Sequence, residues 1–277
     1  MLNWKFKRVV RNRYGRQIWM VTNRKGAKGY FKFPSSQKRK ELRIQAANEY
    51  IAAYLAKSVG LPAATVRRAT VKGPKGMKRK GLVSIKANAK KLLPWKEIPK
   101  AAYTEPEKYL EKADLLAQVI PFDAWIMNPD RTNHNLILFQ NKYARRYKWY
   151  LIDHEIALFG KPNQWKLRKA RKRFRCKKQY KFSLLSKKGR RLLIPKGLKS
   201  FWARHPEASE AMITKIEYLP RSVIRKALGS VPRGYLKKTE KKFIKNVLIS
   251  RQKKVRRLVQ EVVQTFWFSK RGIKTCK

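Results

Sequence analysis

The chain has 277 residues, a formal net charge of +55 and 43% hydrophobic residues. The hydrophobic content is sufficient for a substantial core, and the length fits one two-lobed domain or two small domains. The charge excludes an acidic surface and predicts attraction to polyanions such as nucleic acid, anionic membranes and nucleotides. Two explanations of the charge stay open: a general bias toward Lys and Arg on every solvated face, and a selected nucleic-acid-binding surface.

Cysteine usage and hydropathy predict the cellular compartment. The two cysteines, Cys176 and Cys276, are far apart in the sequence, without the Cys/His spacing of a structural zinc site. Such sparse cysteines favour a reducing compartment. The first ten residues contain no apolar segment of the secretory type, and no run of about 18 apolar residues could span a bilayer. We therefore expect a cytoplasmic protein without a membrane span.

Alternating apolar residues near the N-terminus predict three strands, at 6–10, 18–22 and 30–33. The turn between the first two contains Gly15 and ends at Gln17, and it fits either a phosphate-covering loop or a plain hairpin. Gly15 and Gln17 are therefore candidate nucleotide-binding residues. On the third strand, Lys32 lies on the opposite face from its aromatic neighbours. A lysine on a strand that follows such a hairpin can hold nucleotide phosphates.

A helix with 3.6-residue apolar spacing is predicted over residues 42–59, ending at Gly60. Glu49 lies near its apolar side and is one of three acidic residues in the first 100. Because a buried glutamate without a cationic partner is costly, Lys32 is the predicted partner of Glu49. The alternative is an exposed Glu49 that interacts with a neighbour on its own helix.

The middle of the chain is predicted to connect two lobes. Strands at 64–71 and 81–87 flank a basic turn at 73–80, and prolines punctuate an irregular region at 88–106. We place the boundary in this region, with a β-rich nucleotide-binding N-lobe at 1–88 and a C-lobe at 89–277. One amphipathic helix at 107–126 then leads into the segment that carries the strongest functional signal.

That segment, residues 122–160, reads FDAWIMNPDRTNHNLILFQNKYARRYKWYLIDHEIALFG. Two short apolar runs form a predicted hairpin that brings Asp130, Asn135 and Asp153 close together. An Asp, an Asn five residues later and an Asp after a hairpin suit Mg²⁺-dependent phosphoryl transfer, with Asp130 as the base and oxygen ligands from Asn135 and Asp153. Eight of the 16 acidic residues lie between Glu105 and Glu155, although the rest of the chain is basic. Separately, each aspartate could simply end a turn or strand.

The segment 161–199 contains 17 Lys or Arg and no acidic residue, with aromatic residues interleaved. This composition suits non-specific binding of single-stranded nucleic acid, and the same position in a phosphotransferase suits a mobile activation or substrate segment. Ser183 and Ser186 are candidate phosphorylation sites there. The remainder is predicted to be helical, at 206–219, 221–228 and 239–266.

Lys32, the N-E-x-I-A-A helix at 48–53, the F-D-x-W-I-x-N-x-D-R loop and the L-I-D-H strand together resemble the HipA-like kinases. More distantly, the D-R-x-x-x-N pattern is similar to phosphatidylinositol kinases. The resemblance implies an α+β, bilobal protein-kinase-like fold with a helical C-lobe, and the use of ATP and Mg²⁺. It further implies transfer to Ser or Thr hydroxyls of a protein, as in some members of the family. Some members of the family act as toxins and carry an extra N-terminal subdomain. Because this sequence begins at the nucleotide lobe, we expect it to resemble the short, stand-alone members more than those toxins.

By this resemblance Asp130 is the catalytic base, Asn135 and Asp153 are the metal ligands, and Lys32 contacts phosphate. His134 and His154 are predicted to order the loop by hydrogen bonding and not to bind metal. The alternative from a different class is a nucleic-acid-binding protein on a kinase-like scaffold with a vestigial site.

Overall fold

The computed structural model describes residues 4–11, 17–33, 39–158 and 194–268. Its strands are β1 (Trp4–Arg11), β2 (Gln17–Asn23), β3 (Lys28–Lys32), β4 (Val66–Lys72), β5 (Lys78–Ile85), β6 (Lys91–Pro94), β7 (Leu136–Gln140) and β8 (Lys148–Leu151). Its α-helices are α1 (Arg39–Ser58), α2 (Pro106–Tyr109), α3 (Leu115–Ile126), α4 (Leu198–Arg204), α5 (Pro206–Glu217), α6 (Arg221–Gly229), α7 (Lys238–Gln252) and α8 (Val255–Phe268). The predicted α+β class is confirmed.

The N-terminal strands form a curled antiparallel sheet in the order β1-β2-β3-β5-β4. One face buries an aromatic cluster that includes Trp19 and Phe31, which are 1% and 0% exposed. Because strand side chains alternate between faces, Lys32 lies on the opposite face, which α1 covers. A Cβ on Gly81 would lie 2.2 Å from the carbonyl oxygen of Lys32, so the close approach of β5 to β3 requires glycine there.

A second sheet, in the order β6-β7-β8, connects the two lobes. The prediction of an irregular region at 88–106 was wrong at β6, whose four residues pair with β7. Pro94 is tolerated because it occupies the last position of an edge strand. The proposed boundary at residues 88 and 89 stays a prediction.

The C-terminal part packs its helices around α3, in which every residue from Leu116 to Ile126 is buried. The carbonyl oxygens at the end of α3 need partners outside the helix. Arg251 of α7 supplies them, with Nε 2.9 Å from the carbonyl oxygen of Trp125 and Nη2 bonded to that of Ala124. Helix α3, whose last residues belong to the segment 122–160, is thus held by α7.

Two predicted long helices are each divided in the structure. The single helix expected at 107–126 is α2 and α3, because Leu110 bridges to Tyr147 and Lys112 adopts a left-handed conformation with φ 52°. The helix expected at 239–266 is α7 and α8, which turn between Gln252 and Val255. Gln252 donates to the carbonyl oxygens of Ile216 and Leu219 at 2.9 and 2.6 Å, which anchors the end of α7.

The segment 161–199 falls outside the described residues apart from 194–199. Within the described ranges, no helix combines the length and the apolar character required to cross a membrane.

Candidate active site

The loop between α3 and β7 is built on a buried ion pair. Asp123, on the last turn of α3, accepts from Arg131 at both carboxylate oxygens, with Nε–Oδ2 2.8 Å and Nη2–Oδ1 3.0 Å. Both residues are 1% exposed. The amide of Asn128 also donates to Asp123 Oδ1 at 2.9 Å. Because buried charges require full pairing, these contacts restrict the path of the loop.

Arg131 also connects this loop to the end of β8. Its Nη1 donates to the carbonyl oxygens of Asn135 and Ile152, at 3.1 and 3.2 Å. The Asn135 side chain, which is 5% exposed, donates its amide hydrogen to the carbonyl oxygen of Asp130. One guanidinium therefore fixes both ends of the D-R-x-x-x-N sequence relative to the residue that precedes Asp153.

The β7–β8 hairpin brings Asn135 and Asp153 to the same end of the sheet, as predicted. Leu136 and Leu151 are register partners, and the amide of Ile152 donates to the carbonyl oxygen of Asn135 at 3.1 Å. Asp153 then adopts a left-handed conformation with φ 59°. This conformation is uncommon for residues other than glycine, and aspartate and asparagine tolerate it best. The chain thus turns sharply at the residue whose carboxylate enters the site.

Lys32 lies among three carboxylates from different parts of the chain. Its Nζ is 2.8 Å from Asp153 Oδ1, 3.5 Å from Glu49 Oε1 and 3.7 Å from Glu155 Oε2. The predicted contact of Lys32 with a buried Glu49 is present, and an exposed Glu49 is excluded because that side chain is 5% exposed. The pair in a nucleotide-bound state stays a prediction.

The electrostatics of this group follow from burial and from the charge partners. Burial acts to lower the pKa of Lys32, but the carboxylates of Asp153, Glu155 and Glu49 outweigh it and raise that pKa. Burial acts to raise the pKa of Glu49, but Lys32 and His154 outweigh it and lower that pKa. Both groups therefore stay charged near neutral pH, and three carboxylates surround one ammonium group.

Two further side chains, those of His154 and Asn48, make contacts around this group. His154 is 1% exposed, with Nδ1 3.7 Å from Glu49 Oε2 and its ring edge-on to Phe122. Asn48 donates its amide to the carbonyl oxygen of Glu155 at 2.8 Å. These contacts tie α1 to the residues that follow β8.

The structure brings Lys32, Glu49 and Asp153 into direct contact, and it links Asp130 to Asn135 by a hydrogen bond. Gly15 lies outside the described residues, and Gln17 is the first residue of β2. The roles assigned to these residues stay predictions.

Sequence reasoning did not identify Glu155, Asp123 or Arg131 as site residues. Glu155 carried a signal, since it follows Asp153 by two positions in a chain that is poor in acidic residues. Asp123 and Arg131 were part of the F-D-x-W-I-x-N-x-D-R sequence that carried the resemblance, but their mutual contact depends on how the loop folds back on α3. Nothing in the spacing alone indicates such a contact.

The donor set near Asp153 fits a hard cation. The Asn135 amide nitrogen is bonded to the Asp130 carbonyl oxygen, which leaves the Asn135 side-chain oxygen for a metal ion. Asp153 supplies a carboxylate, and oxygen ligands of these two kinds are those that Mg²⁺ prefers. Among the described residues no group of three or more His, Cys, Asp or Glu has the arrangement of a self-contained metal site. A cation bound by Asn135 and Asp153 would need further ligands from water or substrate.

Solved structures define the class of fold. A Helicobacter pylori proinflammatory kinase, CtkA, is 13% identical and has a TM-score of 0.60, over 94% of this chain and 98% of that chain. Hydra Fam20 is 13% identical with a TM-score of 0.50, over 94% and 86%. A Golgi casein kinase is 11% identical with a TM-score of 0.50, over 99% and 75%. The fold is therefore protein-kinase-like, with two lobes.

The sequence profile described as HipA-like kinase matches residues 35–172, which include α1 and all of the segment 122–160. The chain belongs to the HipA-like kinase family, as its motifs predicted, and is a phosphotransferase of the kinase type. No curated protein matches the sequence significantly.

Proposed function

We propose that this chain is an ATP- and Mg²⁺-dependent kinase that phosphorylates Ser or Thr hydroxyls of a protein. The observation that carries the proposal is the position of Lys32, in contact with Glu49 of α1 and with Asp153 at the end of β8. A lysine held between a helix of one lobe and a carboxylate of the other is suited to bind the phosphates of a nucleotide between the lobes.

Each residue has a distinct part in this proposal. Lys32 binds phosphate oxygens, and Glu49 orients Lys32. Asn135 and Asp153 would hold Mg²⁺, which when bound neutralises charge on the phosphate oxygens. Asp130 accepts the proton of the attacking hydroxyl. The hydrogen bond from the Asn135 amide to the carbonyl oxygen of Asp130 holds this part of the loop beside Asn135. The division into lobes at residues 88 and 89, and a phosphate-covering turn with Gly15 and Gln17, belong to the same proposal.

Asp153→Asn is expected to weaken MgATP binding at least about tenfold. Substitutions of residues around a metal ion commonly cause a loss of this size. The substitution removes the negative charge, while asparagine tolerates the φ of 59° at this position. Isothermal titration calorimetry with ATP and Mg²⁺ measures the affinity.

Asp114→Asn, on the exposed start of α3, is the matched control and should bind MgATP as the wild type does. The wild type should also gain thermal stability with MgATP, because a ligand that binds only the folded state stabilises it. Absence of MgATP binding by the wild type would contradict the proposed function.

A second candidate is a nucleic-acid-binding protein on a kinase scaffold, as the charge suggested. The β4–β5 hairpin favours it, because residues 66–85 contain seven Lys or Arg and no acidic residue. Thr70 is opposite Lys80 and Lys72 is opposite Lys78, so part of this charge lies on one face of the sheet. Anionic nucleic acid is therefore a suitable ligand for this face.

We expect the protein to bind a mixed-sequence oligonucleotide with an affinity that falls steeply as salt increases, because phosphate contacts release counterions. Fluorescence anisotropy at several salt concentrations measures this dependence. Binding that is absent at low salt, or unchanged by salt, would refute the second candidate. Full nucleic-acid binding by a protein that does not bind MgATP would favour it over the kinase.

A further inference from the structure

Helix α1 carries Glu49, so the contact of Glu49 with Lys32 depends on where α1 lies. We infer that an ion pair between Arg43 of α1 and Glu240 of α7 is the positioning contact that holds Glu49 against Lys32. This inference rests on the proposed function, because Lys32 and Glu49 are the residues that it assigns to nucleotide binding. Arg43 and Glu240 are positioning residues, since they act through Glu49.

Arg43 and Glu240 are joined by two hydrogen bonds. Arg43 Nη1 is 2.9 Å from Glu240 Oε2, and Nη2 is 3.0 Å from Oε1. Nη1 also donates to the carbonyl oxygen of Tyr235 at 2.8 Å. The Arg43 side chain is 19% exposed and that of Glu240 is 8% exposed. Two parallel hydrogen bonds between charged groups at a largely buried position define an orientation as well as a distance.

Glu240 is itself held in place, so it provides a fixed point for α1. Its Oε2 accepts from the backbone amide of Lys237, the N-cap residue of α7, at 2.7 Å, and so satisfies a free backbone donor at the start of the helix. Burial acts to raise the pKa of Glu240, but the hydrogen bonds and charges of Arg43 and Lys237 together outweigh it and lower that pKa. Arg43 therefore contacts a charged carboxylate that belongs to a rigid helix terminus.

Helix α1 is held at its other end by a separate contact. Beyond Gly60, the amide of Ala64 donates to the carbonyl oxygen of Leu151, and the amide of Leu151 donates to that of Pro62, both at 2.9 Å. Arg43 and Glu49 are separated by six positions, or about 9 Å along the helix. Loss of the Arg43 contact would therefore let the half of α1 that carries Glu49 shift, while the bridge between Ala63 and Leu151 retains the other half.

Asn48 provides a weaker hold at the level of Glu49, through one hydrogen bond to the carbonyl oxygen of Glu155. That bond joins α1 to the residues after β8 and not to the C-terminal helices. Arg43 bonds directly to α7 through Glu240, whereas the helix packing of α1 is against α6. A change at Glu240 should therefore alter nucleotide affinity, although Glu240 contacts neither Lys32 nor Asp153 in the described structure.

The test is a double-mutant cycle on MgATP affinity, measured by calorimetry for the wild type, Arg43→Ala, Glu49→Gln and the double variant. We expect Arg43→Ala to weaken binding between about 2- and 30-fold, the range typical of residues that act at a distance. In the Glu49→Gln background, Arg43→Ala should have almost no further effect. The charge swap Arg43→Glu with Glu240→Arg should restore part of the affinity, and Arg43→Lys should be intermediate.

A second measurement does not require nucleotide. Hydrogen exchange of the free protein should show faster exchange of amides at 43–50 in Arg43→Ala, with exchange at 53–58 unchanged. Arg256→Ala is the control, because Arg256 pairs with Glu210 at 2.6 Å and Glu217 at 3.1 Å on an exposed surface away from α1. It should leave both the exchange of α1 and the MgATP affinity unchanged.

Wild-type exchange and affinity in Arg43→Ala would overturn the inference, as would an equal loss of affinity in the Glu49→Gln background. If the wild type does not bind MgATP, the proposed function fails, and hydrogen exchange still decides whether Arg43 holds α1. Where Arg43→Ala does not fold, Arg43→Lys and the charge swap provide the same comparison.

Discussion

Replacement of Asp130 by asparagine is expected to reduce kcat by about 10²- to 10⁴-fold, the usual contribution of a general base, and to leave MgATP affinity nearly unchanged. The amide of Asn135 is bonded to the backbone carbonyl of Asp130 and not to its side chain. The substitution therefore retains this contact with Asn135, while it replaces the carboxylate by a neutral amide. A loss confined to turnover indicates an interaction made in the transition state.

ATP hydrolysis or autophosphorylation gives kcat, and calorimetry gives the MgATP affinity of the same preparation. Asp114→Asn applies the same chemical change at an exposed aspartate and should have wild-type turnover. Wild-type turnover in Asp130→Asn would show that Asp130 is not the base. Equal losses of turnover and affinity would instead indicate that Asp130 contributes to nucleotide binding.

Arg131→Met is expected to lower the free energy of unfolding by about 3–5 kcal/mol, the usual effect of removing one partner of a buried ion pair. The variant leaves the carboxylate of Asp123 buried without its cation. It also removes the donor to the carbonyl oxygens of Asn135 and Ile152. Domains commonly have only about 5–15 kcal/mol of stability, so this loss is a large part of the total.

Urea unfolding followed by circular dichroism measures the change. The control is Arg257→Met, because Arg257 has a side chain that is 77% exposed and pairs with Glu261 on the surface of α8. Surface substitutions of this kind usually change stability by less than about 0.5 kcal/mol. An Arg131→Met variant as stable as the control would show that the loop does not depend on the buried pair. Arg131→Lys should recover only part of the loss, since lysine cannot bond both carboxylate oxygens in the same way.

Local elements and the residues of the site could be predicted from the amino-acid sequence. Alternation predicted Lys32 on the face opposite Phe31, and helical spacing predicted a helix that carries Glu49 on its buried side. The D-R-x-x-x-N loop, the hairpin and the following aspartate predicted that Asn135 and Asp153 would meet at one end of a sheet. These features depend on short-range periodicity, which can be seen in the amino-acid sequence.

The contacts between these residues depend on how distant parts of the chain pack together. Glu155 approaches Lys32 because β8 ends opposite β3, and the two residues are 123 positions apart in the chain, a separation that no local pattern encodes. Likewise, the contact of Arg43 with Glu240 requires the first half of α1 to lie within side-chain reach of the start of α7. The breaks between α2 and α3 and between α7 and α8 have the same origin. There, contacts with distant backbone groups stabilise a turn within segments whose helical spacing continues.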